Sequence, residues 1–222
     1  MSRSSEAIAA RDARRVTITE AALAIVQVDG LEQLTMRRLS DSTALQLPLI
    51  YRVFANKQAL IDAMAEHILA RALRDAPASR PDPRGDWKHV AVTLADSLRS
   101  ALLSYRDGAR ILGGSYVAQQ NNMTFADRLI MSMERGGLTG TAALWGASTV
   151  FCYVLGEVLE QQSSTVQVVA EVDKLQVRSS YPHLYATPLH ELINFDGRFQ
   201  YGIRAVIGGL AHASLHDDAG AK

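Results

Sequence analysis

The stretch from Thr35 to Lys57, TMRRLSDSTALQLPLIYRVFANK, sets helix boundaries so close together that the chain around it has few ways to fold. Thr35 stands just before MRRLSDS, where its hydroxyl can accept an orphan amide hydrogen from a helical first turn. That helix is short and gives way near Thr43 to Leu45. Another opens around Gln46 with Pro48 in its first turn, where the missing N–H of proline costs nothing. Asn56 then caps KQALIDAMAEHILARAL, in which Leu60, Ile61, Met64, Ile68 and Leu69 form one apolar stripe. The spacing predicts two short helices with a tight turn between them, followed at once by the capped start of a longer one.

Upstream, Asp12 to Asp29 carries Ile18, Ala22, Leu23, Ile25 and Val26 at spacings of three and four. Gly30 stands where a left-handed C-cap residue belongs, and about the first ten residues are expected to fray. Downstream, PASRPDPRG (Pro77 to Gly85) stops the fourth helix and separates a domain 1–75 from a domain 76–222. Trp87 to Ser104 and Phe125 to Arg135 resume helical periodicity on either side of YRDGARILGG, a break with room for one helical turn. Thr141 to Gln162 is the longest and most apolar helix and is expected to be central. Ser163 to Thr187 is polar and predicts a long loop with a short helix inside it; Phe199 to His212 is a last apolar helix. VQVVAEV is β-looking, but a run without a partner makes no sheet. The fold class is therefore all-α: an N-terminal three-helix helix-turn-helix domain, joined by a fourth helix to a larger helical domain.

A chain of 222 residues that is 48% hydrophobic can bury a sizeable core. Its single cysteine, Cys152, excludes an intrachain disulfide framework, fits a reducing cytoplasm, and has the apolar neighbours of a buried thiol. No segment reaches the roughly 18 uninterrupted apolar residues of a membrane span, and the N-terminus has no apolar run of signal-peptide length. The expectation is a soluble cytoplasmic protein without a membrane partner. His67, His89, His183, His190 and His212 lack metal-ligand spacing and are expected at the surface. No catalytic constellation, metal site or cofactor motif can be assembled, so the chain is not read as an enzyme.

Net charge is zero, with 23 Lys+Arg and 23 Asp+Glu, which excludes a uniformly basic nucleic-acid coat but not a local patch. Arg37, Arg38, Arg52 and Lys57 are opposed only by Asp41 between Thr35 and Lys57, and the stretch reads as a helix-turn-helix presenting one helix to DNA. A basic surface helix in a helical bundle is the plainer alternative. The L-T-x-R-x-L pattern of Leu34, Thr35, Arg37 and Leu39 follows Gly30 and Leu31 and precedes Pro48, Tyr51, Phe54, Asn56-Lys57, Leu60 and Ile61-Asp62. In that order and spacing it resembles the DNA-binding domain of the TetR family of bacterial transcriptional repressors. ALLSYRDGAR (Ala101 to Arg110), VLGEVLEQQ (Val154 to Gln162) and FQYGIRAVIGGL (Phe199 to Leu210) are similar to the ligand-binding domain of the family's tetracycline repressors.

The resemblance implies a homodimer on double-stranded operator DNA, with the third helix of each subunit in a major groove and the grooves about 34–36 Å apart. The DNA face would comprise Thr35, Met36, Arg37, Leu47, Pro48, Leu49, Tyr51, Arg52 and Lys57. Arg37 and Lys57 flank the recognition helix beside helix N-termini that suit phosphates. Tyr51 is placed for a phosphate hydrogen bond, and Arg52 is the candidate for a base edge such as guanine. Leu47, Leu49 and Val53 depart from the family, which has small or polar residues there; facing DNA, the two leucines could touch only thymine methyls or exclude water.

Tetracycline repressors hold a metal-chelated drug with histidines and polar side chains. Their histidine positions fall here on Ala72 (or Leu73) and Leu112, and other anchors on Leu94, Leu98 and Arg128; Ser115 and Glu160 alone keep the expected polarity. Alkyl side chains leave no coordination shell, so no metal–tetracycline binding is expected. What remains is a cavity lined by Leu94, Leu98, Leu112, Ser115, Tyr116, Phe125 and Leu129, with Trp145 or Tyr153 contributing and Arg128 and Glu160 as polar contacts for an unidentified, mostly apolar effector. In the alternative, the leucines are core and Arg128 pairs with Glu160. Gly146, Gly156, Gly202, Gly208 and Gly209 cost helix stability and point to close helix approach, which the resemblance implies is, with Ala205, a dimer interface; a functional kink is the alternative for Gly156. The function expected is a repressor released from its operator by the effector. An effector-less regulator, or a helical small-molecule carrier on the same scaffold, remains the alternative.

Overall fold

The computed structural model describes residues 3–76, 86–115, 120–163 and 180–217, with side chains described between 6 and 212. Among them there is no strand, and the all-α expectation holds. The helices are α1 Arg3–Asp29, α2 Met36–Thr43, α3 Leu47–Val53, α4 Lys57–Asp75, α5 Trp87–Leu103, α6 Gly108–Gly113, α7 Gln120–Arg135, α8 Gly140–Ser163 and α9 Phe195–Asp217. The chain separates into two compact units, Met1–Arg80 with Asp96–Arg128 and Pro81–Ala95 with Leu129–Lys222, the divisions falling inside α5 and α7. The β-looking VQVVAEV run and the whole of PASRPDPRG lie outside the described residues.

In the first unit the capping chemistry is local. Thr35 Oγ1 accepts from the Arg38 amide at 3.1 Å, and Asn56 Oδ1 accepts from the Ala59 amide at 2.8 Å. Between α2 and α3, Ala44 takes a left-handed conformation (φ 54°), and the Ser40 hydroxyl donates to the Leu45 carbonyl at 2.6 Å, fastening the turn. Ile18, Ala22 and Val26 of α1, Leu39 of α2, Ile50 and Phe54 around α3, and Leu60, Met64 and Ile68 of α4 are at most 1% exposed and form the core. Gly30 has φ 88° but ψ 162°, so it does not take the expected left-handed helical conformation; it turns the chain extended into the 3-10 turn Leu31–Gln33. Helix α1 begins at Arg3, well ahead of the expected Asp12, and the N-terminal residues extend it where fraying was expected.

In the second unit α8 packs along α9. Two glycines permit this. A Cβ at Gly202 would lie 2.2 Å from the Tyr153 hydroxyl, and one at Gly146 would lie 2.8 Å from Met133 Sδ and 3.3 Å from Leu210. Tyr153 stacks on Phe199 with centroids 5.7 Å apart and donates to the carbonyl of Phe199 at 3.1 Å. Helix α8 is not central within its unit: its most apolar window, of mean hydropathy 1.5, is only 33% buried. By length and composition α8 would suffice to cross a membrane; its exposed face carries Gly156 and Cys152 among Trp145 and Leu159. Cys152 is exposed there, correcting the expected buried thiol, because its neighbours in sequence point to other faces of the helix.

Candidate nucleic-acid interface and effector domain

Helix α3 buries Ile50 and Val53 and turns the opposite face outward, so Pro48, Tyr51 and Arg52 are exposed and Leu47 and Leu49 half-buried. Val53, 8% exposed, is a core residue and not part of an outward face. Thr35 and Arg37 are exposed at the start of α2, and Lys57 is half-buried at the start of α4. Met36 departs from its expected place among DNA-facing side chains. It is 8% exposed, and with Leu39 one turn on it anchors α2 to the core, leaving only its backbone at the helix start. Arg38 is likewise withdrawn from the basic patch, because its guanidinium pairs with Asp29 at 2.6 Å. Arg37, Arg52 and Lys57 are the remaining cations of this stretch.

Sequence reasoning missed a ladder of polar side chains on α4. Gln58, Asp62 and Glu66 follow at intervals of four and so share one helix face. Asp62, 4% exposed, accepts from Ser115 Oγ and from Gln58 Nε2, each at 3.0 Å, and Gln58 also donates to the Gly114 carbonyl at 2.7 Å. The carboxylate of Glu66 accepts the amides of Asn121 and Asn122, at 2.9 and 3.1 Å, at the start of α7. A carboxylate suits the unsatisfied amides of a helix N-terminus. The signal available in the sequence was a carboxylate inside an apolar stripe, since Asp62 adjoins Leu60, Ile61 and Met64.

A second set of contacts joins residues 106–110 to the end of α1. Arg106 donates from its amide to Gln27 at 2.9 Å and from its guanidinium to the Val28 carbonyl at 2.6 Å. Asp107 accepts the Leu31 amide at 2.8 Å, and Arg110 pairs with Glu32. Gly108 is obligatory, since a Cβ there would lie 2.2 Å from the Leu102 carbonyl oxygen. His67 is half-buried and edge-on to Tyr105, not at the surface as expected, and burial pushes its pKa below the usual imidazole range.

Of the residues expected around an effector, Leu98, Leu112 and Phe125 are buried in the first unit and Leu94 and Leu129 in the second. Tyr116 lies outside the described residues. Ser115 is engaged by Asp62, and Arg128 donates to the Leu73 carbonyl at 3.5 Å. Glu160, the alternative partner expected for Arg128, has its own cation within the second unit. Glu160 is exposed and bound by Arg198 at 2.7 Å, which also reaches Glu157 at 3.2 Å; the hydrogen bond from Arg198 holds the Glu160 carboxyl below its ordinary pKa. Trp145, 69% exposed, faces outward instead of lining a cavity. Two of the positions expected to meet a metal chelate, Ala72 and Leu112, are buried alkyl groups without lone pairs to offer it.

Of the six residues expected at a dimer interface, Gly146 and Gly202 serve contacts within the chain, as described above. A Cβ at Gly156, Gly208 or Gly209 would meet no other described atom within 4 Å. These three glycines are exposed in the same unit as Ala205, Trp145, Cys152, Leu159 and Tyr201, which are exposed as well.

Residues 18–64 match the family model of bacterial regulatory proteins of the tetR family, and residues 80–213 that of the tetracyclin repressor-like C-terminal domain. The class G tetracycline repressor protein of Vibrio anguillarum is 35% identical over 87% of this chain and 91% of its own length. The crystal structure of a possible TetR family transcriptional regulator from Streptomyces coelicolor A3(2) superposes with a TM-score of 0.81 at 33% identity, covering 90% of this chain and 99% of that one. The Streptomyces coelicolor TetR family protein ActR in complex with actinorhodin gives 0.73 at 27% identity, over 90% and 97% of the chains.

Proposed function

Because the chain belongs to the TetR family of bacterial regulatory proteins, we propose that it is a homodimeric repressor whose α3 helices enter successive major grooves of an operator and leave when a small, mostly apolar effector binds the second domain. The observation that carries the DNA reading is the orientation of α3. Its apolar side is locked to the core through Ile50, while Pro48, Tyr51 and Arg52 face outward between helix starts capped by Thr35 and Asn56. Cations and helix N-termini there suit phosphates, and the arginine suits a guanine edge. Thr35, Arg37, Leu47, Leu49 and Lys57 complete the face. The protein works in the cytoplasm, where its DNA is.

Dimerisation is supported by the exposed apolar surface of α8 and α9. Trp145, Cys152, Gly156 and Leu159 recur along one helix at spacings of seven, four and three residues, and Tyr201, Ala205 and Gly208 along the other at four and three. Small residues among large apolar ones let a second pair of helices approach closely.

For the effector, the complex of ActR with actinorhodin supports a small-molecule ligand, and the buried Leu98, Leu112 and Phe125 of the first unit are the apolar side chains that would receive it. Differential affinity for the DNA-incompetent state would produce release. An effector-less regulator is the second reading. It is favoured by Ser115 and Glu160, polar residues of the expected site that already bond to Asp62 and Arg198. The experiments are a mobility-shift assay on duplexes enriched from a random library, then thermal shift against a panel of apolar natural products. No retarded duplex at low salt would sink the repressor reading; a retarded duplex with no stabilising compound would favour the effector-less one.

A further inference from the structure

Helix α1 runs from Arg3 to Asp29, yet its buried residues begin only at Ile18 and Thr19. From Glu6 to Arg14 every residue is exposed, Ile8 at 59%. The family match also starts at residue 18, so this extension lies outside the shared DNA-binding domain. A short helical segment with no packed face is marginal in water, because no tertiary contact offsets the cost of ordering it. A partner that binds the segment would supply that contact.

The place where the extension leaves the domain is set by Arg15, whose guanidinium lies 4.5 Å from the centroid of the Phe54 ring. Phe54 ends α3, and Asn56, two residues on, caps α4. The exposed segment therefore departs from the C-terminal end of the recognition helix, close to Lys57. Arg11 lies one turn, about 5.4 Å, further out on the same face as Arg15, and Arg14 is the neighbour of Arg11 at three residues' spacing. Of the carboxylates of the same segment, Glu6 lies further out and Asp12 stands between the two arginines in sequence; Arg11 and Arg14 are its cations nearest α3.

We propose that this extension of α1 is a second DNA-contacting element, in which Arg11 and Arg14 bind backbone phosphates flanking the groove that α3 occupies. The guanidinium fork pairs well with phosphate oxygens, and such contacts add affinity without reading bases. The proposal rests on the DNA-binding reading above.

The test uses the full chain and the duplex that the wild-type protein enriches from a random library, with affinities measured between about 50 and 200 mM salt. The double variant R11A/R14A is expected to lower the slope of log affinity against log salt by about 0.9 for each phosphate no longer neutralised, up to about 3.6 for a dimer. It should select the same central sequence as wild type and leave a hydroxyl-radical footprint shortened at both outer edges. R11K/R14K should keep most of the slope, which separates lost charge from lost fold; matching melting curves serve the same purpose. An unchanged slope in R11A/R14A, beside wild-type binding that R52A abolishes, overturns the extension and leaves α3 as the DNA element. Failure of the wild-type chain to enrich any duplex overturns both.

Discussion

The hydroxyl of Ser115 donates to the carboxylate of Asp62 at 3.0 Å, joining α4 to the residue that follows α6 and Gly114. Asp62 is buried and also accepts from Gln58, which reaches the neighbouring Gly114 carbonyl. Helix α4 starts at Lys57, beside the proposed DNA face, so this network ties the neighbour of α3 to Gly114, Ser115 and the start of α7 through one helix face.

Removing the carboxylate should expose how strong that tie is. Asp62→Ala leaves Ser115 without this acceptor and Gln58 with only the Gly114 carbonyl, and is expected to destabilise the protein by about 1–3 kcal/mol. In a double-mutant cycle with Ser115→Ala, a coupling of about 0.5–1.5 kcal/mol is expected in urea denaturation, and strict additivity would contradict the contact.

His67 gives a pH dependence of known sign. Burial is the largest cause lowering its pKa, with Arg74 and Arg71 acting in the same direction and Glu20 opposing them. The unfolded imidazole therefore binds a proton at a higher pH than the folded one. Stability is full above the unfolded value, near 6.5, and falls as the pH drops through it towards the lower folded value. Melting temperature followed from about pH 8 to about pH 5.5 should decline more steeply for wild type than for His67→Gln; parallel curves would remove His67 as a source.

These elements differ in how far the sequence discloses them. The caps at Thr35 and Asn56 and the place of Pro48 in the first turn of α3 were legible because helix starts depend on residues within three positions of each other. Burial of Met36 was legible too, in its spacing of three from Leu39, but its place between Thr35 and Arg37 in a binding motif drew it to the wrong face. The partners of Arg38 and Glu160 were not legible, since Asp29 and Arg198 reach them only through tertiary packing. Glycine in a helix announced close approach at Gly146 and Gly202, expected against a dimer mate; the close neighbours within the chain are Met133 and Tyr153.

Glycine substitutions separate the two kinds of contact. Gly202→Ala forces a methyl against the Tyr153 hydroxyl and should destabilise the protein by about 1–3 kcal/mol. Gly156→Ala and Gly208→Ala meet no described atom within the chain and should add up to about 1 kcal/mol of helix propensity each to an isolated subunit. If these positions lie at the dimer seam, the double variant instead weakens self-association, which sedimentation velocity would register as a shift towards monomer. A dimer of undiminished affinity would move the seam elsewhere.

Arg198 binds Glu157 and Glu160 and also donates to the Leu192 carbonyl at 2.7 Å. Arg198→Ala strands the mostly buried Glu157 carboxylate and should cost about 1–3 kcal/mol in thermal or urea unfolding. Arg198→Lys should recover only part of that, because an ammonium cannot span both carboxylates as a guanidinium fork does.

The most direct measurement is the affinity of the wild-type chain and of the Arg52→Ala, Lys57→Ala double variant for the duplex that the wild-type chain enriches from a random library. A recognition helix built on α3 predicts an enriched sequence with two related half-sites about one helical turn apart, and a loss of affinity on the order of a hundredfold in the variant. Equal affinity of the two proteins for that duplex would contradict it, as would the absence of any enriched sequence at low salt.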